Sequence, residues 1–106
     1  MKPFEVYIIY VSWGVDGKTR PVLVYTVSGV ETSVFIITSR YDNKSEAIKS
    51  RYFRINDWRE AGLKRPSFVD IGTKIKLPIS AFEQKPIGGL TDDDKIRFIK
   101  FLTTLV

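Results

Sequence analysis

The first 39 residues contain three runs so dense in β-branched and aromatic side chains that they fit strands and little else. Phe4 to Trp13 carries Val6, Tyr7, Ile8, Ile9, Tyr10 and Val11 in an unbroken series. Branched and aromatic side chains lose rotamer freedom in a helix and pack well on a pleated surface. Pro21 to Val27 reads as a second strand, with the proline at its first position, where a missing N–H is tolerated. A third runs from Ser33 to Ser39, and its Val34-Phe35-Ile36-Ile37-Thr38 centre is too uniformly apolar to be exposed on either face. Gly14 to Thr19 separates the first two runs as a polar loop, and Ser28-Gly29-Val30-Glu31 is a turn.

The rest of the chain is more polar. Asp42-Asn43-Lys44-Ser45 breaks the pattern, a helical turn is expected over Ser45 to Ser50, and strand character returns from Ser50 to Ile55. Asn56 has N-cap chemistry for a short helix through Ala61, with Asp57 in its first turn and Gly62 as the C′ residue. Two further strands are predicted, Ser67 to Ile71 and Thr73 to Leu77; Lys74-Ile75-Lys76-Leu77 puts charged and apolar residues on opposite faces. Thr91-Asp92-Asp93-Asp94 offers a capping hydroxyl and a run of acids suited to the positive end of a helix. Behind it, Ile96, Ile99, Leu102 and Leu105 recur every third residue and predict the buried face of that helix. Without an internal repeat or a linker, residues 1–106 predict a single, mainly β domain: a small barrel packed by short helices and a C-terminal amphipathic one.

Composition narrows the chemistry. The chain has no cysteine and no histidine, which excludes disulfides, thiolate nucleophiles, His/Cys zinc sites and Ser–His–Asp triads. Any catalysis falls to carboxylates, arginines, lysines, hydroxyls or backbone groups, with no metal site or cofactor indicated. Lys and Arg number 17 against 12 Asp and Glu, a net charge of +5 that favours a polyanionic partner. No apolar run approaches the roughly 20 residues a membrane helix needs, and no signal-peptide pattern opens the chain, so a cytoplasmic protein is expected.

Three constellations could carry function. Gly14 to Arg20 is a glycine-bearing loop holding Asp16 and Lys18 and emptying into Arg20 at the mouth of a strand. Arginine presents five N–H donors in a rigid fork matched to phosphate, although a solvated charge at a strand end has the same sequence. Thr38-Ser39-Arg40 ends the most apolar strand with two hydroxyls and a guanidinium. Donors of that kind can hold a phosphate and the charge that builds on it in a transition state, and a plain strand-end turn is the competing explanation. The third is a basic, aromatic middle: Arg40, Tyr41, Lys44, Lys49, Arg51, Tyr52, Phe53, Arg54, Trp58, Arg59, Lys64 and Arg65. Aromatic plates among cations are how single-stranded nucleic acid is held. Phe53 is expected in the core, and Trp58 reads equally as core or as a stacking plate.

The order of four segments resembles the MazF/PemK toxin endoribonucleases: Arg20 to Val24 (Arg-Pro-Val-Leu-Val), Ile37 to Ser39 (Ile-Thr-Ser), Pro66 to Asp70 (Pro-Ser-Phe-Val-Asp) and Ile87 to Asp94. Ile55 to Leu63 looks like the short PemK-like branch of that family. The resemblance implies an SH3-like barrel with a C-terminal helix, usually a homodimer, cutting single-stranded mRNA without a metal and neutralised by an acidic antitoxin protein. By motif, Arg20 matches the phosphate-binding arginine and Thr38, with Ser39 beside it, the hydroxyl that stabilises the transition state. Asp16 stands one position out of register from a glutamate that many members carry. Lys18, Arg40, Lys44, Arg51, Arg54, Trp58, Arg59, Lys64 and Arg65 would then face RNA. The sequence also departs from the pattern: Pro3-Phe4-Glu5 replaces a Gly-Asp start, and Asp70-Ile71-Gly72 replaces Asp-Gln-Ile. These departures carry the second reading, a barrel of the same kind that binds RNA or a protein without cutting.

Overall fold

A computed structural model describes residues 1–13 and 16–105, the side chains of Trp13 and Asp16 excepted. Six antiparallel strands form one curled sheet: β1 (Glu5–Trp13), β2 (Asp16–Val27), β3 (Glu31–Thr38), β4 (Tyr52–Arg54), β5 (Phe68–Pro78) and β6 (Gly88–Gly89), in the order β4-β5-β3-β2-β1-β6. A short helix α1 (Glu46–Lys49) precedes β4, a 3-10 turn follows β5, and helix α2 (Asp92–Thr104) closes the described chain. Among the described residues no helix is long and apolar enough to cross a membrane.

The three strands expected in the first half are present, and β2 is longer than its sequence suggests. The polar segment read as a loop is mostly strand: Asp16 to Thr19 pair with β1 down to Trp13, while Gly14 and Val15 lie outside the described residues. β3 is buried from Thr32 to Ile37 because the curl encloses both of its faces. One face packs Val6, Leu23, Phe35, Ile37, Phe53 and Val69 against Phe98 of α2, and the other packs Tyr7, Ile9, Val22, Val24, Val34 and Ile36 under Phe82.

The two later strands predicted separately are the halves of β5. Phe35 of β3 pairs with Lys74 and its neighbour Ile36 with Asp70, so Ile71, Gly72 and Thr73 bulge from the ladder between them. Asp70 stabilises the bulge by accepting from the Gly72 N–H at 2.9 Å and the Thr73 hydroxyl at 3.0 Å.

Two further expectations need correction. Residues 56–62 form consecutive turns rather than a helix, and the Asn56 N–H is bonded across the fold to Asp94. Gly62 does close the segment as a C′ residue should: at φ 85°, its N–H bonds the Arg59 carbonyl while the Leu63 N–H bonds that of Trp58. The Cβ of any other residue there would stand 2.2 Å from the Ile87 carbonyl oxygen. The face of α2 was also misplaced, since Ile96, Ile99 and Leu105 are exposed and the helix buries Asp94 and Phe98, with Phe101 and Leu102 packed at the core edge. A three-residue step falls short of a full 3.6-residue turn, so the isoleucine series winds away from the core.

Candidate active site

β2 and β3 determine the geometry of the site. Val22 pairs with Ile36, and Arg20 and Thr38 each lie two residues beyond that pair. Arg20 in turn pairs with Ile9 of β1, Thr38 with Phe68 of β5, and Phe68 with Arg54 of β4. Arg54, Phe68 and Thr38 therefore lie in one row across three strands, their side chains on one face of the sheet, and Arg20 shares a groove lining with Thr38. The two segments picked out by sequence meet at the ends of neighbouring strands and line one groove.

A groove of about 650 Å³ opens at this end of the sheet. Ile8, Pro21, Ile37, Leu63 and Ile87 give it apolar walls; Lys18, Arg20, Arg40, Lys64 and Arg65 give it five cations, and Thr19, Thr38, Ser39 and Ser67 give it hydroxyls. Among the described residues its lining contains no carboxylate. An apolar cleft with cations at its edge concentrates field lines and attracts polyanions. Its Gly62 to Arg65 wall depends on the turn that Gly62 closes, which is how a segment distant in sequence reaches Arg20.

Thr38 is held for donation. The Arg40 N–H donates to Thr38 Oγ1 at 3.1 Å, a local turn that fixes the side chain. The hydroxyl hydrogen has no protein acceptor among the described residues, so it is free for a ligand oxygen. Ser39 and Arg40 are exposed just beyond the strand, and Arg20 is half-buried. Asp16 pairs through its backbone with Trp13, but its side chain lies outside the described residues.

The other residues expected to face RNA divide. Lys44, Arg51, Arg54 and Arg59 line none of this groove. Arg51 lies by the β5 bulge, within reach of a Cβ at Gly72. Arg54 sits over the Phe68 ring at 5.0 Å, and Lys44 belongs to the turn before α1. Trp58 packs half-buried against the core with the Arg59 guanidinium 4.7 Å over its ring, so it is a core-edge residue rather than a groove plate. Phe53 is in the core, as its apolar surroundings require.

Tyr41 and Tyr52, two rings of the basic, aromatic middle, come together with Phe68. Tyr41 stacks flat on Phe68, with centroids 4.2 Å apart, and Tyr52 leans towards both rings. Burial and the charge of Asp70 raise the Tyr52 hydroxyl above the ordinary phenol pKa, while Arg51 and Arg20 pull the other way. The mixture of rings and cations from Arg40 to Arg54 is the sequence signal of this cluster, and the partner it does not show is Phe68.

No family model and no curated protein matches the sequence. Among solved structures the chain is similar to the Mycobacterium tuberculosis toxin MazF-mt6, with a TM-score of 0.69 and 19% identity over 94% of this chain and 93% of that one. At that identity the likeness is one of architecture: the chain carries a MazF-like fold over nearly its whole length.

Proposed function

We propose that the protein is a metal-independent endoribonuclease that cuts single-stranded mRNA in the groove at Arg20 and Thr38, acting as the toxin of a toxin–antitoxin pair. The single observation that carries this reading is that Arg20 and Thr38, on the neighbouring strands β2 and β3, line one basic groove. The MazF-like architecture supports it, and so does the agreement of Arg20 and Thr38 with that family's motif positions. A homodimer and an acidic antitoxin belong to the same reading.

Chemically, the RNA's own 2′-hydroxyl attacks the adjacent phosphorus. The O2′–P bond forms, the P–O5′ bond breaks, and a 2′,3′-cyclic phosphate and a 5′-hydroxyl result. Arg20 is charged at neutral pH and cannot accept the 2′ proton, so it neutralises the phosphate as charge builds. Thr38 donates its hydroxyl to a non-bridging oxygen, and Ser39 is the neighbouring donor. Asp16 is the carboxylate in sequence reach that can take the proton, leaving water to reprotonate the departing O5′. Lys18, Arg40, Lys64 and Arg65 hold flanking phosphates.

Incubating the protein with mixed-sequence RNA in EDTA and mapping the new ends tests this directly. Cleavage at short recurrent sites is expected, and intact RNA at high protein concentration would sink the reading. The aspartate in place of the family's loop glutamate and the Asp70-Ile71-Gly72 segment in place of Asp-Gln-Ile favour a second reading, an RNA-binding barrel without activity. It predicts salt-sensitive RNA retention with no new ends.

A further inference from the structure

We propose that Tyr52, backed by the Tyr41–Phe68 stack, is a plate on which a nucleobase beside the scissile phosphate stacks, on the β4 side of Thr38. The inference rests on the RNA reading of the groove and adds a subsite that the groove does not contain. Tyr52 and Arg54 are two apart on β4, so they share a face, and the row through Arg54, Phe68 and Thr38 makes it the face that carries the Thr38 hydroxyl. Across two strand spacings, Arg54 stands roughly 10 Å from Thr38 along the sheet.

The cluster is arranged to receive a ring. Phe68 is already covered, by Tyr41 stacked on it and Arg54 above it, and Lys49 lies 4.9 Å over Tyr41. Tyr52 differs: it is half-buried, tilted at 45° to Tyr41 and 35° to Phe68, with centroids 6.2 and 6.4 Å away, and neither ring lies flat on it. Its hydroxyl has no hydrogen bond to protein among the described residues. Asp70, the acid paired with it across the strands, has its oxygens engaged by Gly72 and Thr73. On the far side Tyr52 and Arg54 border a second depression of about 440 Å³, shared with Arg97 and Lys100, where the next phosphate would sit. A strand crossing Arg20 and Thr38 thus meets, in order, the basic groove, the reacting phosphate, a ring plate and further cations.

Non-cleavable single-stranded 2′-O-methyl RNA carrying 5-iodouridine, titrated against wild type, Tyr52→Phe and Tyr52→Leu, tests the plate. Stacking predicts binding about tenfold weaker for Tyr52→Leu and within about twofold of wild type for Tyr52→Phe, with photo-crosslinks on the peptide holding Tyr52. Thermal melting checks that each variant folds; should Tyr52→Leu fail to fold, the wild-type crosslink map decides alone. Unchanged affinity in a folded Tyr52→Leu, or crosslinks confined to the Lys18–Pro21 and Lys64–Ser67 segments, would overturn the plate and leave the nuclease reading standing. Wild-type protein that binds no RNA would overturn both.

Discussion

Two arginines, Arg97 on α2 and Arg20 on β2, show how one kind of side chain serves two ends. Arg97 on α2 is fully committed: its Nη1 lies 2.6 Å from Asp94 Oδ1, it donates to the Arg54 carbonyl at 3.2 Å, and its plane sits 4.8 Å from the Phe53 ring centre. Asp94, wholly buried, also accepts from the Asn56 and Asp57 N–H groups at 3.4 and 2.8 Å, while Thr91 donates to Asp57 at 2.6 Å. The Asp94–Arg97 pair and these bonds fasten α2 to the turn over residues 56–62. At the groove end, Arg20 shares a lining with four more cations, Lys18, Arg40, Lys64 and Arg65. Like charges gathered in one cleft raise the energy of the empty protein and fall in energy when a polyanion arrives. The clasp should govern stability and the groove should govern activity.

Substituting the clasp breaks the comparison most forcefully. Asp94→Ala leaves two backbone N–H groups and a guanidinium without their acceptor, and should lower stability by about 3 kcal/mol. The upper part of the range for buried pairs does not apply, because the Arg97 side chain is 38% exposed and can rehydrate. Chemical denaturation reads the loss. If Asp94→Ala unfolds like wild type, the clasp is not what secures α2.

Arg20→Ala should do the reverse. A lost electrostatic donor at a reacting phosphate predicts cleavage slower by about a hundredfold or more, with stability changed by no more than about 1 kcal/mol. Initial rates on a fluorogenic RNA, beside the same denaturation curve, separate the two effects. Thr38→Val should lose somewhat less, about tenfold to a hundredfold, and Thr38→Ser should recover most of it because the donor is restored. Equal rates for the valine and serine variants would remove the hydroxyl from the reaction.

How much of this was legible in the sequence follows the range of the interactions. The three early strands, the Thr91 cap and the Gly62 closure rest on contacts a few residues apart, so local propensity finds them. Arg20 and Thr38 were visible as strand-end residues, but only the pairing of β2 with β3 puts them in one groove. The clasp was hidden because Asp94 meets Asn56 and Asp57 across 38 and 37 residues of chain. It also hid the true face of α2: a pattern search for apolar residues discards Asp94, although Asp94, Phe98, Phe101 and Leu102 follow helical spacing better than the isoleucines do. Trp58 went the other way, since an aromatic among cations looks like a stacking plate until its contacts show it packed at the core edge.

Salt gives a finer test of the groove end. Each phosphate neutralised releases about 0.7 of a counterion from a single strand, so K64A/R65A should flatten the plot of log affinity against log salt by about one unit or slightly more. Asp94→Asn, if folded, should leave that slope unchanged. A slope insensitive to Lys64 and Arg65 would place the RNA elsewhere on the surface.

The smallest effect needs no RNA at all. Tyr7 and Tyr52 both have hydroxyls raised above the ordinary phenol value, Tyr7 by burial and then by Glu5, which also accepts its hydrogen bond at 3.3 Å, and Tyr52 by burial and then by Asp70. A tyrosine whose folded pKa exceeds its unfolded one keeps its proton longer in the folded state, so its contribution to stability is complete below the unfolded value near 10 and is lost as pH rises through the folded one. Stability should therefore fall on the alkaline side, and Tyr7→Phe should remove part of that fall. Tyr52 carries a further marker, because Arg20 and Arg51 hold its rise in check. Removing the Arg20 charge should move Tyr52 ionisation further up, read as the ultraviolet difference between Arg20→Ala and Arg20→Ala/Tyr52→Phe, and should leave Tyr7 where it is. If Tyr52 titrates identically with and without Arg20, the guanidinium points away from the aromatic cluster. A continuous path from the groove to the Tyr52 plate would then be broken at its first step.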